Sequence, residues 1–291
     1  MVVLSALLLD AVMGEPRRWH PLVGFGRWAG WVESCCYRSS VLRGVIALLI
    51  VVTPFVTVAF WLDHFVLEAL VLYLAIGGRS LVMHAEDVHA ALVRGNLRLA
   101  RQAVGKIVSR QTDGMSADEI SKATVESVLE NGNDAVFGAI FWYVLAGAPG
   151  VVLYRLVNTL DALWGYRNER YHRFGRAAAR LDDLLNHFPA RLTAIGYAIA
   201  GRFRPALTSW RLQAPAWESP NAGAVMAAGA GALMLRLGGS AIYDGRRRSR
   251  PALGVGRAPV ADDIPRALSL LYRSMVLWVV VLVVLEGVQL A

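Results

Sequence analysis

The sequence predicts an all-α integral membrane protein: a helical bundle with short or re-entrant embedded helices and amphipathic helices at the cytoplasmic surface. Three observations carry this. Apolar residues make up 56% of the 291 residues and charged ones only 18%, against about one half and one quarter in soluble domains. Mean hydropathy is +0.44. The net charge of +8 comes mostly from arginines placed between apolar runs, as in the cytoplasmic loops of inner-membrane proteins. Basic stripes interleaved with aromatics are missing, so nucleic acid is not an expected partner. Cys35 and Cys36 are adjacent and no second pair exists, which excludes a disulfide framework or a cysteine metal site. The opening MVVLSALLLDAVMGEP lacks a basic start and meets Asp10 early, so no cleavable signal peptide is expected. One membrane-embedded domain is expected over residues 1–291.

Taken in order, residues 41–62 and 65–83 are each long enough to span, a span needing about 20 residues. With only Asp63 and His64 between them they read as a tight hairpin, its first arm kinked at Pro54. Residues 84–134 are polar and helix-prone. Within them SADE (116–119) is a capping box that starts a helix running to about residue 132. Residues 135–163 are apolar but broken by AGAPG at 146–150, which suits a re-entrant helical hairpin better than two crossings. The run 192–201 is too short to span. Residues 222–237 are rich in Gly and Ala, which lets helices approach closely in lipid, so this segment is expected to pack inside a bundle. A basic loop over 238–273 contains GRRRSR, and 275–291 just spans. The basic stretches 14–40, 84–134, 164–191 and 239–273 would share the cytoplasmic side. No internal repeat is visible.

Four polar constellations stand out. Arg155, Asn158 and Asp161 share one helical face inside an apolar run. A charge there marks function by default, the plainer meaning being an Arg155–Asp161 pair between helices. Glu126, Glu130 and Asp134 follow at i, i+4 and i+8 with Asn131 and Asn133 beside them and Asp113 upstream. Such carboxylates suit Mg²⁺ with open sites for phosphate oxygens, or else form a solvated acidic face. In 176–194, Arg176, Arg180, Asp183 and His187 fall near one face, Asp182 and Asn186 lie i, i+4 on another, Pro189 ends the helix and Arg191 opens the next segment. The plainer meaning is an amphipathic surface helix. In ESPNAG (218–223), Ser219 and Asn221 open a helix N-terminus, either an anion site or a simple cap. No P-loop and no dinucleotide fingerprint occurs.

LLLDAVMGEPRRWHPLVGFGRW (7–28), TVESVLENGNDAVFGAIFW (124–142), VNTLDALWGYRNERYHRFGRAAARLDDLLNHFPARLTA (157–194) and SPNAG (219–223) follow in that order. Together they resemble the adenosylcobinamide-phosphate synthase family of cobalamin biosynthesis, the CobD/CbiB family, over nearly the whole chain. The chain departs from that pattern at Arg167, where the family often has lysine, and at AVMAAG after SPNAG. The resemblance implies a multi-pass protein of the bacterial inner membrane, its active site facing the cytoplasm. It implies an ATP-dependent amide synthase that joins adenosylcobyric acid to (R)-1-aminopropan-2-ol O-phosphate or a related amino alcohol. It implies ATP as co-substrate and Mg²⁺. Glu126, Glu130 and Asp134 then fall to metal or amine binding, and Asn158, Asp161 and Asp183 to orientation or base chemistry. Arg167, Arg170 and Arg180 fall to phosphate. Asp113, Asn131, Tyr166, Asn168, Asn186, Arg191, Ser219 and Asn221 complete the substrate contacts, and Trp142, Tyr143, Trp164 and Tyr166 offer an aromatic mouth for the corrinoid. The expected partners are the corrinoid, the amino alcohol phosphate and the lipid bilayer, with self-association left open. A regulatory membrane protein of the related β-lactamase-induction family would share the hairpins and lose the polar clusters. A transporter would want more full spans and a repeat.

Overall fold

The computed structural model describes residues 1–16, 20–166, 168–243 and 246–289. Helix α1 (Val2–Met13) stops at Gly14, whose φ of 63° is costly for other residues. Helix α2 (Pro21–Cys36) starts at a proline, with the His20 ring accepting from Leu22 N–H; residues 14–40 are therefore partly helix, not a plain loop. Helix α3 (Val41–Ala59) carries Pro54, and α4 (Phe65–Ala75) is capped by His64. Helices α5 (Gly78–Val93) and α6 (Leu97–Val104) follow, and α7 (Ala117–Gly132) opens with the expected reciprocal capping box of Ser116 and Glu119. Asn133–Phe137 winds as a π-turn before α8 (Gly138–Trp164). Short α9 (Tyr171–Phe174), α10 (Arg176–Leu185), α11 (His187–Ala200) and α12 (Phe203–Gln213) lead to α13 (Pro220–Leu233). Strands β1 (Arg236–Gly238), β2 (Ala241–Tyr243), β3 (Arg246–Arg248) and β4 (Ala252–Gly254) precede α14 (Asp263–Gln289).

Among the described residues, four apolar helical stretches are long enough to cross a membrane: Val41–Ala59, Phe65–Val93, Ala117–Trp164 and Asp263–Glu286. Ile46, Leu49 and Val58 on α3 and Val276, Val280 and Val284 on α14 are exposed, a surface suited to lipid rather than water. The protein is an all-α membrane protein, as the composition predicts.

Two compact units divide the chain, each from two separated segments: residues 1–79 with 134–187, and 80–133 with 188–291. In the first, Phe25, Val51, Val52, Leu160, Trp164 and Phe174 form a core between α2, α3, α8 and α9. Gly44 on α3 faces the Phe174 carbonyl so closely that any Cβ would overlap it. Between α4 and α5 the helix breaks at Ile76–Gly77. There Gly77 N–H donates to the Ala135 carbonyl (3.0 Å), and Asp10 on α1 accepts from Arg79 N–H (2.9 Å), capping α5.

Helix α8 is a hairpin. Ala146 and Gly147 leave helical geometry, Gly147 with φ 61°. Tyr154 then hydrogen-bonds the Asp134 carbonyl at 3.2 Å, although a straight helix would separate residues 20 apart by about 30 Å. The AGAPG break thus turns the chain back, as expected. Gly138 leaves room for the Tyr154 hydroxyl; a Cβ there would overlap it. Gly138→Ala should lower stability by about 1–3 kcal/mol, read as an earlier thermal transition in detergent; an unchanged transition would mean the two arms do not close on each other.

In the second unit α13 is buried from Asn221 to Leu233. Its small residues serve close packing within the protein, as expected: Gly229 faces Leu129 and Gly231 the Pro205 carbonyl. Met234 takes a left-handed conformation and ends α13. The stretch expected as a loop instead pairs β1 with β4 and β2 with β3, antiparallel. Helix α10 ends at Leu185 rather than at Pro189, which lies in the first turn of α11, where its missing N–H costs nothing.

Candidate active site

In the first unit, the second arm of α8 and the end of α10 bring a set of carboxylates and amides together. Asp182 Oδ1 accepts from Asn158 Nδ2 at 3.3 Å, and Oδ2 accepts from Asn186 Nδ2 at 3.1 Å. Each amide is fixed at its other end. Arg155 Nη1 donates to Asn158 Oδ1 (3.3 Å), and the buried Tyr154 hydroxyl donates to Asn186 Oδ1 (2.9 Å). Asp161 lies within the field of Asp182 and Asp183. Gly165 borders it, and a side chain there would overlap the Asp161 carboxylate.

No cation neutralises Asp182 through a described contact. Burial pushes its carboxyl up from 3.8 to about 6; the amide hydrogen bonds from Asn158 and Asn186 oppose this, and the charge of Asp183 adds to it. The sequence placed Asp182 on a face apart from Asp183 and left it out of the chemistry. The structure makes it the hub, because its spacing to Asn186 (i, i+4) matches the reach of Asn158 across from α8. Arg155 bonds Asn158, and no Arg155–Asp161 ion pair occurs among the described residues.

Arg170 is committed elsewhere. Its Nε and Nη2 grip Glu33 Oε1 at 2.9 and 2.7 Å, its guanidinium lies 4.4 Å from the Tyr37 ring centre, and Tyr171 and Trp164 donate to the same carboxylate. Nothing local in the sequence points to Glu33, which is 137 residues away from Arg170. Asn168 Oδ1 accepts from Tyr171 N–H at 2.9 Å, ahead of α9. Tyr166 and Arg180 are exposed. Arg167 lies outside the described residues. Of the aromatics expected to receive the corrinoid, Trp164 is buried on Glu33, Trp142 donates to the Leu185 carbonyl and Tyr143 to Glu68.

The second unit holds a different cluster. Glu126 on α7 is buried and fully engaged: Arg110 contacts Oε2, Arg250 donates to both oxygens at 3.1 Å, and Gly238 N–H donates to Oε1 at 2.8 Å. Glu130, one turn on, is half-buried within the field of the same arginines. Among the described residues no group of three or more His, Cys, Asp or Glu side chains is placed to hold a metal. Glu126, Glu130 and Asp134 do not fit Mg²⁺ as a set. A divalent cation at Glu126 would meet two guanidinium groups, and the π-turn breaks the i, i+8 stripe before Asp134. Asn131 donates back to Ser127, and Asp113 is exposed before α7. Arg191 Nη1 donates to Asn221 Oδ1 at 2.6 Å. Ser219 accepts from Ala222 N–H at 3.3 Å, so this hydroxyl serves as a helix cap.

Half-buried carboxylates aligned by amides, on an apolar helix and an amphipathic one, define a membrane protein with a polar site. A family model described as "CobD/Cbib protein" matches residues 3–271. The chain is 53% identical over 288 residues to "Cobalamin biosynthesis protein CobD" of Chromobacterium violaceum, covering 94% of this chain and 92% of that protein. The protein of the same name from Stutzerimonas stutzeri is 54% identical over 289 residues (96% and 95% covered), and that of Mycobacterium tuberculosis is 37% identical over 280 (92% and 90%). No solved structure matches the chain. The chain belongs to the CobD/CbiB family, and its role lies in cobalamin biosynthesis.

Proposed function

We propose that the chain forms an amide bond at the expense of ATP, joining adenosylcobyric acid to (R)-1-aminopropan-2-ol O-phosphate, or a related amino alcohol, to give adenosylcobinamide phosphate. The observation that carries this is the half-buried Asp182 held by Asn158 and Asn186, with Asp161 and Asp183 beside it. Amide synthesis needs an electrophilic acyl carbon and a neutral amine. ATP supplies the first by transferring a phosphoryl or adenylyl group to the corrinoid carboxylate. The amine nitrogen then attacks the acyl carbon; the C–N bond forms, the acyl C–O bond breaks, and phosphate or AMP leaves with its electron pair.

The carboxylate cluster suits the second requirement. Its negative field draws the amine in as an ammonium ion, and Asp182, ionised above about pH 6, takes the proton that the nucleophile must lose. Asn158 and Asn186 hold that carboxylate in place. Exposed Arg180 is assigned to the phosphate of the amino alcohol. The arginine-rich segments support a cytoplasmic site in the inner membrane.

The test is conversion of adenosylcobyric acid by membranes carrying the chain, with the amino alcohol phosphate, with and without ATP. Product in the complete mixture and none without ATP is the expected result. No product in the complete mixture, from membranes that hold the folded chain, would overturn the reading.

A further inference from the structure

In the second unit a groove of about 330 Å³ is lined by Arg202 at the start of α12, Arg266, Ser269 and Arg273 along α14, and the chain at Gly201 and Leu233. Its lining contains three arginines and no carboxylate. Arg266 is fixed at one wall: Nη2 donates to the Leu233 carbonyl at 2.9 Å, and Nη1 contacts Asp263, which Arg257 also holds. The other two arginines are less engaged. Arg273 donates only Nε, to the Ser269 carbonyl at 3.3 Å. Arg202 is anchored by its backbone N–H on the Ala232 carbonyl at 3.1 Å. Neither guanidinium pairs with a carboxylate among the described residues.

Capping of helix C-termini explains Arg266, which reaches the end of α13. It leaves the open forks of Arg202 and Arg273 without a purpose. Like charges gathered around one open volume repel unless something anionic sits between them, and guanidinium forks match phosphate oxygens in shape as well as charge. The place along the chain adds to this. Arg273 is the last charge on α14 before the uncharged run from Ser274 to Leu285, so the groove opens where the helix enters the apolar layer.

We propose that this groove binds a phosphate ester, an inference that does not rest on the reaction proposed above. Two sources share that chemistry: the headgroup of an anionic phospholipid at the membrane boundary, and a soluble phosphate ester. The full chain separates them. In one arm, it is placed in nanodiscs of phosphatidylglycerol and phosphatidylcholine, and the phosphatidylglycerol it retains is counted by native mass spectrometry. In the other, the chain in lipid-free detergent is titrated with inorganic phosphate, and its thermal transition is compared with chloride at equal ionic strength.

At least one probe should bind, and Arg202→Gln with Arg273→Gln should weaken that binding about tenfold, the size of one lost charge-assisted contact. Arg202→Lys with Arg273→Lys keeps the charge without the fork and should lie between. Retention of lipid alone assigns the groove to the headgroup; a response to phosphate alone assigns it to a soluble ester. If neither probe binds, or the glutamine pair binds as tightly as the native chain, the proposal fails. Should the glutamine pair not fold, Arg273→Gln alone, on an exposed part of α14, and the lysine pair carry the same comparison.

Discussion

Asp182→Asn is expected to cut amide formation by a factor of about 10²–10³, the size of a lost acid–base group, while the amount of folded protein stays near normal. The change strands no counter-charge, because Asp182 is held by two neutral amides rather than by a cation; its cost is the one hydrogen bond lost where the new amide nitrogen faces Asn158 or Asn186, about 1 kcal/mol. The upward push of burial on this carboxyl points the same way. The folded chain keeps this proton up to about pH 6, whereas an unfolded chain releases it near 3.8. The folded state therefore binds more protons between those values, and the contribution of Asp182 to stability falls as pH rises through that window. Activity runs the other way, rising with pH through about 6 as the carboxylate becomes able to accept a proton. The asparagine variant should lose both the turnover and the part of the stability profile that changes between pH 4 and 6. Near-normal turnover in that variant, measured against equal amounts of folded protein, would remove Asp182 from the proton transfer.

The second large effect is of the opposite kind. Glu126→Gln should lower the amount of folded, membrane-inserted protein, with a stability cost of about 3–5 kcal/mol. Glu126 is the buried anion between Arg110 and Arg250, and removing its charge leaves two guanidinium groups facing each other with one amide oxygen between them. Restoring an uncharged neighbour by Arg110→Met in the same chain should recover much of the folded protein. Quantitative blotting of membranes and thermal unfolding in detergent give the readout. If Glu126→Gln folds normally and loses only turnover, the cluster works on substrate and its structural role is secondary.

Local signals carried much of the fold. The capping box at Ser116, the break at Ala146–Gly147 and the long apolar runs appear where the chain's own chemistry puts them. What local chemistry misses is pairing at a distance. Arg250 reaches Glu126 across 124 residues and Arg170 reaches Glu33 across 137, and no spacing rule connects such residues. The paired strands over 236–254 escaped notice because each is three residues long and too short for an alternating pattern. The small residues of α13 were legible as those of a closely packed helix, and α13 is enclosed by its own unit. Within the carboxylate cluster, Asn158, Asp161, Asp183 and Asn186 were legible as polar groups in apolar or amphipathic helices. Asp182 was not, since its role depends on a partner on α8 and not on its own helix.

The hydrogen bonds around Asp182 run in one direction. Tyr154 and Arg155 occupy the oxygen ends of the two carboxamides, so both nitrogen ends are turned toward the aspartate. Neither amide can rotate by half a turn without losing a donor at one end and meeting a second acceptor at the other. The orientation of the site is thus written one residue further out than the site itself. Tyr154, which never touches Asp182, holds it through Asn186, and with the phenol gone the amide becomes a swivel that presents either face. Such head-to-tail chains reinforce one another, so the polarity of this small circuit belongs to the five side chains jointly and to none of them alone.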